Sequence, residues 1–226
     1  MKKFIIILFL IIYPINSIAH IGHYSKYKKI EMEIFRNEKL IGYNYYFFDR
    51  KDDVTTITNQ IKFSVKILGA TIFQIEGFGE EKYTKDQLIS YNSKTLQNNK
   101  KKFVDLSYNK NTKKFDIKGS SYNGEASNSN VVGNWWNHKI LQADSQISPI
   151  SGSIKEQVVS FVGKEKIVLY GKFYDVDHFK LKSKNMKLPK DKRLDFDIWY
   201  DRKNHIIIKV SYSRMGNWEY RLKNFE

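Results

Sequence analysis

Thr56-Ile57-Thr58-Asn59-Gln60-Ile61-Lys62-Phe63-Ser64-Val65-Lys66-Ile67 is the stretch that decides the fold class. Ile57, Ile61, Phe63, Val65 and Ile67 share one register of a period of two, and Thr56, Thr58, Gln60, Lys62, Ser64 and Lys66 hold the other. Successive side chains of a strand point to opposite faces, so this is a strand with one dry and one wet side. The same alternation recurs outward in both directions. It marks Ile30/Met32/Ile34, Leu40–Asp49, Ile72–Glu81, Leu88–Leu96, Phe103–Tyr108 and Phe115–Lys118, then Ser153–Phe161, Lys166–Tyr170, Phe173–Lys182, Leu194–Tyr200, His205–Tyr212 and Trp218–Leu222. Asn37-Glu38, Lys51-Asp52-Asp53, Leu68-Gly69-Ala70 and Asn98-Asn99 supply turns between them.

Connections this short join antiparallel neighbours, and a long series of such strands must curl, close or split. The expected fold is all-β and mainly antiparallel, a curled sheet that is half-barrel or barrel-like. Leu40–Asp49 carries rings on both faces, Tyr46 and Phe48 on one and Tyr43, Tyr45 and Phe47 on the other, so apolar cover is expected on both sides. Ser120–Gly133 is rich in Ser, Asn and Gly and reads as a loop. After it, Asn134 can cap a helix of about two turns that stacks Trp136 on Ile140 and packs over the sheet as plug or lid. Gly77-Phe78-Gly79 reads as a bulge or bend that lets the sheet curl.

Composition agrees. The 226 residues include 15 Tyr, 15 Phe and 27 Ile but 4 Ala, a balance that suits pleated surfaces over helices. No Pro/Gly/Ser-rich linker divides residues 20–226, so they read as one domain. With no cysteine, thiolate metal sites, disulfides and Cys nucleophiles are excluded. The net charge of +15 would suit an anionic partner, yet 33 Lys stand against 6 Arg in a scattered pattern. Arg is the better bidentate phosphate reader, so no nucleic-acid role is expected.

The N-terminus sets the compartment. Lys2 and Lys3, the apolar run Phe4–Ile12, the break at Pro14 and Asn16, and Ser17-Ile18-Ala19 read as a cleaved signal peptide over residues 1–19, giving a periplasmic or secreted monomer. A freed His20 with His23 could chelate copper, although no further ligand is evident in the sequence.

Leu40-Ile41-Gly42, Phe63-Ser64-Val65-Lys66, Val132-Gly133-Asn134-Trp135-Trp136-Asn137, Asp197-Ile198-Trp199-Tyr200-Asp201 and Trp218-Glu219-Tyr220-Arg221-Leu222 together span most of the chain. In their order and spacing they resemble a family of uncharacterised secreted bacterial proteins known as a domain of unknown function. Tyr83 and Gln87 depart from it, standing where the family more often has Trp and Gly. More distantly, the pattern is similar to the periplasmic lipoprotein-carrier superfamily, in which a curled sheet closed by helices holds acyl chains. That resemblance implies a concave apolar site and supplies no catalytic residue.

The candidate ligand-lining residues are Trp135, Trp136, Ile140 and Trp199, with Tyr43, Tyr45 and Phe47 behind them. Together they point to a non-enzymatic carrier of a lipid or other apolar ligand with no cofactor. One alternative is an envelope polysaccharide hydrolase, because Asp195 and Asp197 alternate onto one face like paired carboxylates. Another is a module that binds an envelope protein partner through an aromatic patch. His138 and His178 lack the nucleophile-elbow context of a Ser-His-Asp site. Lys100-Lys101-Lys102 offers contact with a membrane surface.

Overall fold

A computed structural model describes residues 20–226; the leader reading of residues 1–19 lies outside them. The strands are β1 (Lys29–Arg36), β2 (Lys39–Lys51), β3 (Val54–Ile67), β4 (Ala70–Thr84), β5 (Gln87–Gln97), β6 (Lys100–Asn109), β7 (Lys114–Gly119) and β8 (Asn123–Ser127). They continue as β9 (Val131–Val132), β10 (Ser145–Ile147), β11 (Ile154–Leu169), β12 (Lys172–Ser183), β13 (Asp195–Asp201), β14 (Ile206–Ser213) and β15 (Asn217–Phe225). All belong to one sheet in the order β8-β7-β6-β5-β4-β3-β2-β1-β15-β14-β13-β12-β11-β10-β9. Its described pairings are antiparallel except β9 with β10.

The order explains the shape. The last strand pairs with the first, Tyr220 opposite Ile34, and the two edges, β8 and β9, are consecutive in the chain. Asn130 N–H donates to the Ser127 carbonyl at 3.1 Å between them. From Ser127 to Val131 the backbone reaches about 14 Å at most, so the edges lie close and the sheet rolls round almost to closure. Asn37-Glu38, Leu68-Gly69, Asn98-Asn99 and Tyr170-Gly171 all have positive φ at both positions, the turn geometry that matches twisted hairpins.

Alternating directions sort the connections into two ends. Turns 37–38, 68–69, 98–99, 120–122, 148–153, 184–194 and 214–216 share one end; 52–53, 85–86, 110–113, 170–171 and 202–205 share the other. At that second end the interior is solid. Tyr24 and Tyr27, beside the short 3-10 helix His20–Tyr24, pack under β2 with Phe48 and Trp136.

Four expectations change. The stretches 153–161 and 166–170 form one strand, β11, because a register shift between Phe161 and Gly163 absorbs the break without ending the pairing. The Ser/Asn/Gly-rich segment contains β8 and β9, too short to show alternation. The helix shrinks to a single 3-10 turn, His138–Leu141, capped by Asn137, whose side chain accepts from Lys139 N–H at 3.0 Å. Asn134 and Trp136 precede it. They are held by side chains of the sheet, so residues 133–141 run through the interior as a plug before the chain rejoins the wall at β10. Gly77 and Gly79 pair in register with Ile61 and Asn59, with no bulge. A Cβ on Gly79 would stand 3.0 Å from the Tyr91 hydroxyl, so its absence seats that ring.

Candidate functional site

At the first end the inward faces do not meet, and a half-open cavity of about 580 Å³ remains. Ile61, Trp135, Ile150, Phe196, Tyr212 and Tyr220 form its apolar walls. Trp135 stands edge-on to Phe196 and Tyr220, with ring centroids 5.1 and 6.3 Å apart.

The floor is polar. Asn59 Nδ2 donates to Asn44 Oδ1 at 2.5 Å, and Asn44 Nδ2 donates to the Tyr46 hydroxyl at 2.7 Å. That hydroxyl also accepts the Trp135 backbone N–H at 3.1 Å, tying the plug to β2. Burial holds the Tyr46 phenol well above its ordinary range, so it stays neutral. On the opposite wall Ser93 Oγ and Tyr91 OH both donate to the Pro149 carbonyl, at 2.7 and 2.9 Å. The rim carries Lys155, Lys190, Lys192, Arg193 and Arg214 against Asp191 and Asp195. Apolar walls, neutral donors below and cations at the mouth suit a guest with a greasy body and a polar, electronegative end.

Trp135 lines this cavity. Trp136 and Ile140 do not: both are sealed in the solid half, where Trp136 meets the edges or faces of Tyr24, Phe48 and Tyr83. Tyr43, Tyr45, Phe47 and Trp199 lie on the outer face. The period of two that turns Asn44, Tyr46 and Phe48 inward turns their neighbours outward. Tyr43 and Tyr45 stack at 4.5 Å, and the Lys29 ammonium covers Tyr45 and Phe47, so lysine stems and not a second layer shield these rings. Sequence reasoning passed over Asn44 and Asn59; the signal was two amides at inward positions of neighbouring apolar strands.

Beneath the floor, Glu81 is almost fully buried with no cation among its bonded partners. It accepts from Tyr83 OH at 2.6 Å, Asn134 Nδ2 at 2.6 Å and Trp136 Nε1 at 2.9 Å. Desolvation outweighs these three donors and raises its pKa. The folded chain therefore keeps a proton that the unfolded chain releases near pH 4.3 or so, and stability falls as pH rises from there through the raised value. Glu81→Gln keeps the shape without the charge. Its unfolding free energy, measured against pH, is expected to decline less steeply than that of the wild type across this window; parallel curves would contradict the assignment.

The outer face carries a second polar cluster. His178 stacks on Trp199 at 4.6 Å and bonds Glu165 at 2.7 Å and Asp197 at 3.0 Å. Trp199 Nε1 donates to Glu165 at 2.9 Å. Asp195 and Asp197 share Lys180, at 2.8 and 2.7 Å. Burial pushes the Asp197 carboxyl up, but Lys180 and His178 outweigh it and hold its pKa below the ordinary value. These carboxylates thus sit in an ion-pair network between strands. At the solid end His23 stacks on His205 at 4.3 Å, with His138 5.5 Å from His23, two neighbours the sequence did not place beside it. Among the described residues, however, no three His, Asp or Glu side chains converge in a way that could hold a metal ion.

A family model described as a domain of unknown function, DUF6134, matches residues 32–223. Among solved structures, the chain is similar to a β-barrel-like protein of another domain of unknown function, DUF1849, from Brucella abortus. The TM-score is 0.57 at 10% identity, over 88% of this chain and 96% of that one. At that identity the likeness shows the fold alone. A protein with a YmcC-like fold from Bacteroides fragilis aligns over 88% of this chain and 94% of its own, at 10% identity, with a TM-score of 0.36, which carries no argument. No curated protein matches.

Proposed function

The chain belongs to the DUF6134 family, a domain of unknown function, and from that premise we propose that it is an exported, non-enzymatic binding or carrier protein whose half-open cavity receives a lipid or similar amphipathic ligand. The observation that supports this is the cavity itself, about 580 Å³ in a barrel whose other end is packed solid. Its size is ordinary for small-molecule sites. The mixture of Trp135, Phe196, Tyr212 and Tyr220 with Asn44, Asn59 and the basic rim favours a guest with both an apolar body and a polar group. The leader-like residues 1–19 support export and with it an envelope source for such a guest.

Native mass spectrometry of the chain purified from its own host is the direct test. The expected result is a population heavier than the polypeptide, lost on organic extraction. Gly77→Leu should abolish that added mass while leaving the fold intact. Gly77 lines the cavity, and a Cβ there would meet Ile61 Cγ2 and Thr95 Oγ1 at 3.0 Å, so these neighbours must shift by a few tenths of an ångström. An unchanged far-ultraviolet circular dichroism spectrum is the accompanying check that the variant folds. A wild type recovered at bare mass from every preparation, or a Gly77→Leu chain that still carries the ligand, defeats the reading.

A further inference from the structure

We propose that the open end of the barrel docks on an anionic lipid bilayer, with the β3–β4 hairpin as the element that enters it. The pairing of β2 with β3 stops at Gly42 opposite Phe63, and that of β5 with β4 stops at Gln97 opposite Ile75. Val65 and Phe73 still pack inward and Gln74 is bonded to Asn98, so residues 66–72 project beyond both neighbours as a short two-stranded finger. Ile67, Leu68 and Ile72 at its tip are 47%, 102% and 42% exposed.

Leu68 is out of place by two measures. It has φ +49 beside Gly69 at φ +83, a turn that favours Asn-Gly and strains a bulky apolar residue. The flanking hairpins place Asn37 and Asn98 at the same position. Neither backbone preference nor water accounts for a leucine there; an acyl environment beyond the chain accounts for it. Met215, the tip of β14–β15 at the same end, repeats the pattern with φ +50 and 80% exposure.

Charge selects the kind of surface. Lys66 is the single ionised side chain between residues 64 and 75, and Lys100-Lys101-Lys102 leaves the adjacent turn. The 184–193 connection adds Lys184, Lys187, Lys190, Lys192 and Arg193 against Asp191 alone. Turns at the opposite end are mixed, with Asp52, Asp53 and Asp86 set against Lys85, Lys110, Lys113, Arg202 and Lys203. Apolar tips inside a cationic collar match acyl chains beneath anionic headgroups. The contact is end-on, because the outer wall, although it exposes Val158, Phe161 and Val168, is interrupted by Glu33, Lys209, Glu219 and Arg221 and does not form the continuous apolar band of a spanning barrel. The inference stands whether or not the cavity holds a ligand.

Sedimentation of the purified chain with vesicles of mixed phosphatidylglycerol and phosphatidylcholine, compared with phosphatidylcholine alone, tests it. Binding is expected to the anionic vesicles and to weaken with salt. Leu68→Asn should reduce partitioning about tenfold, the worth of one inserted leucine, while its thermal unfolding temperature stays level or rises because asparagine suits the turn. Reversing Lys100 and Lys101 to Glu should weaken binding about fivefold per site or more. Phe173→Ser removes an apolar side chain that is 81% exposed at the opposite end and should change nothing. Wild-type binding by Leu68→Asn, loss of binding by Phe173→Ser, or capture by an acidic polypeptide with none by vesicles would each overturn the proposal.

Discussion

Gly42→Ala is expected to lower the free energy of unfolding by about 4 kcal/mol or more, because among the described glycines it has the closest backbone approach to its missing Cβ. Gly42 lies on β2 opposite Ile34 of β1, where a register shift follows, and opposite Phe63 of β3. A Cβ there would overlap the Lys62 carbonyl oxygen and Phe63 Cβ. The obstacle is backbone held in a ladder on both sides, not the far end of a side chain, so local adjustment cannot relieve it. Gly163 is the matched control. It sits at the β11 register shift with nothing within 4 Å of its would-be Cβ. Gly163→Ala should be neutral or raise stability by a few tenths of a kcal/mol, through reduced freedom of the unfolded chain. Urea denaturation of both variants decides the matter, and equal midpoints would refute the close-approach argument.

The second large effect separates two tryptophans that the sequence treats alike. Trp136→Ala should cost about 3–5 kcal/mol. It empties a fully buried site walled by Tyr24, Phe48 and Tyr83, with centroids 5.0, 5.5 and 5.9 Å away, and removes one of the three donors to Glu81. Trp199→Ala should cost about 1 kcal/mol, since that ring lies half-buried on the outer wall between His178 and Lys209. Trp136→Phe divides the larger loss into packing and hydrogen-bond parts: it keeps a ring but leaves Glu81 Oε1 with Asn134 alone. Comparable losses for Trp136→Ala and Trp199→Ala would show that residues 133–141 do not seat inside the barrel as described.

The legible part of the fold followed local rules. Alternation in 56–67 survives in β3 almost residue for residue, with Ile57, Phe63 and Val65 buried and Lys62 and Lys66 exposed. Turn residues at Asn37-Glu38 and Asn98-Asn99 adopt the positive φ that such positions favour. Ile67 departs from the pattern because it belongs to the projecting finger, beyond the reach of any interior. The site was less legible. Trp135 reaches the cavity and Trp136, one residue on, is locked in the core. That difference is set by where the plug meets Tyr46 and Glu81, 89 and 55 residues away along the chain.

From its order of residues alone, the chain settled that it would be an antiparallel β protein of alternating strands, because a two-residue period and the chemistry of tight turns act over a few neighbours. Its folding in three dimensions decided which aromatic face became the inside, that one end packs solid while the other stays hollow, and that Glu81 lies buried among three donors. Those outcomes hang on the β1–β15 closure and on contacts such as Asn134 with Glu81 and Tyr91 with Pro149, made between segments more than 50 residues apart. No local pattern encodes which distant strand a residue will face once the sheet has rolled up.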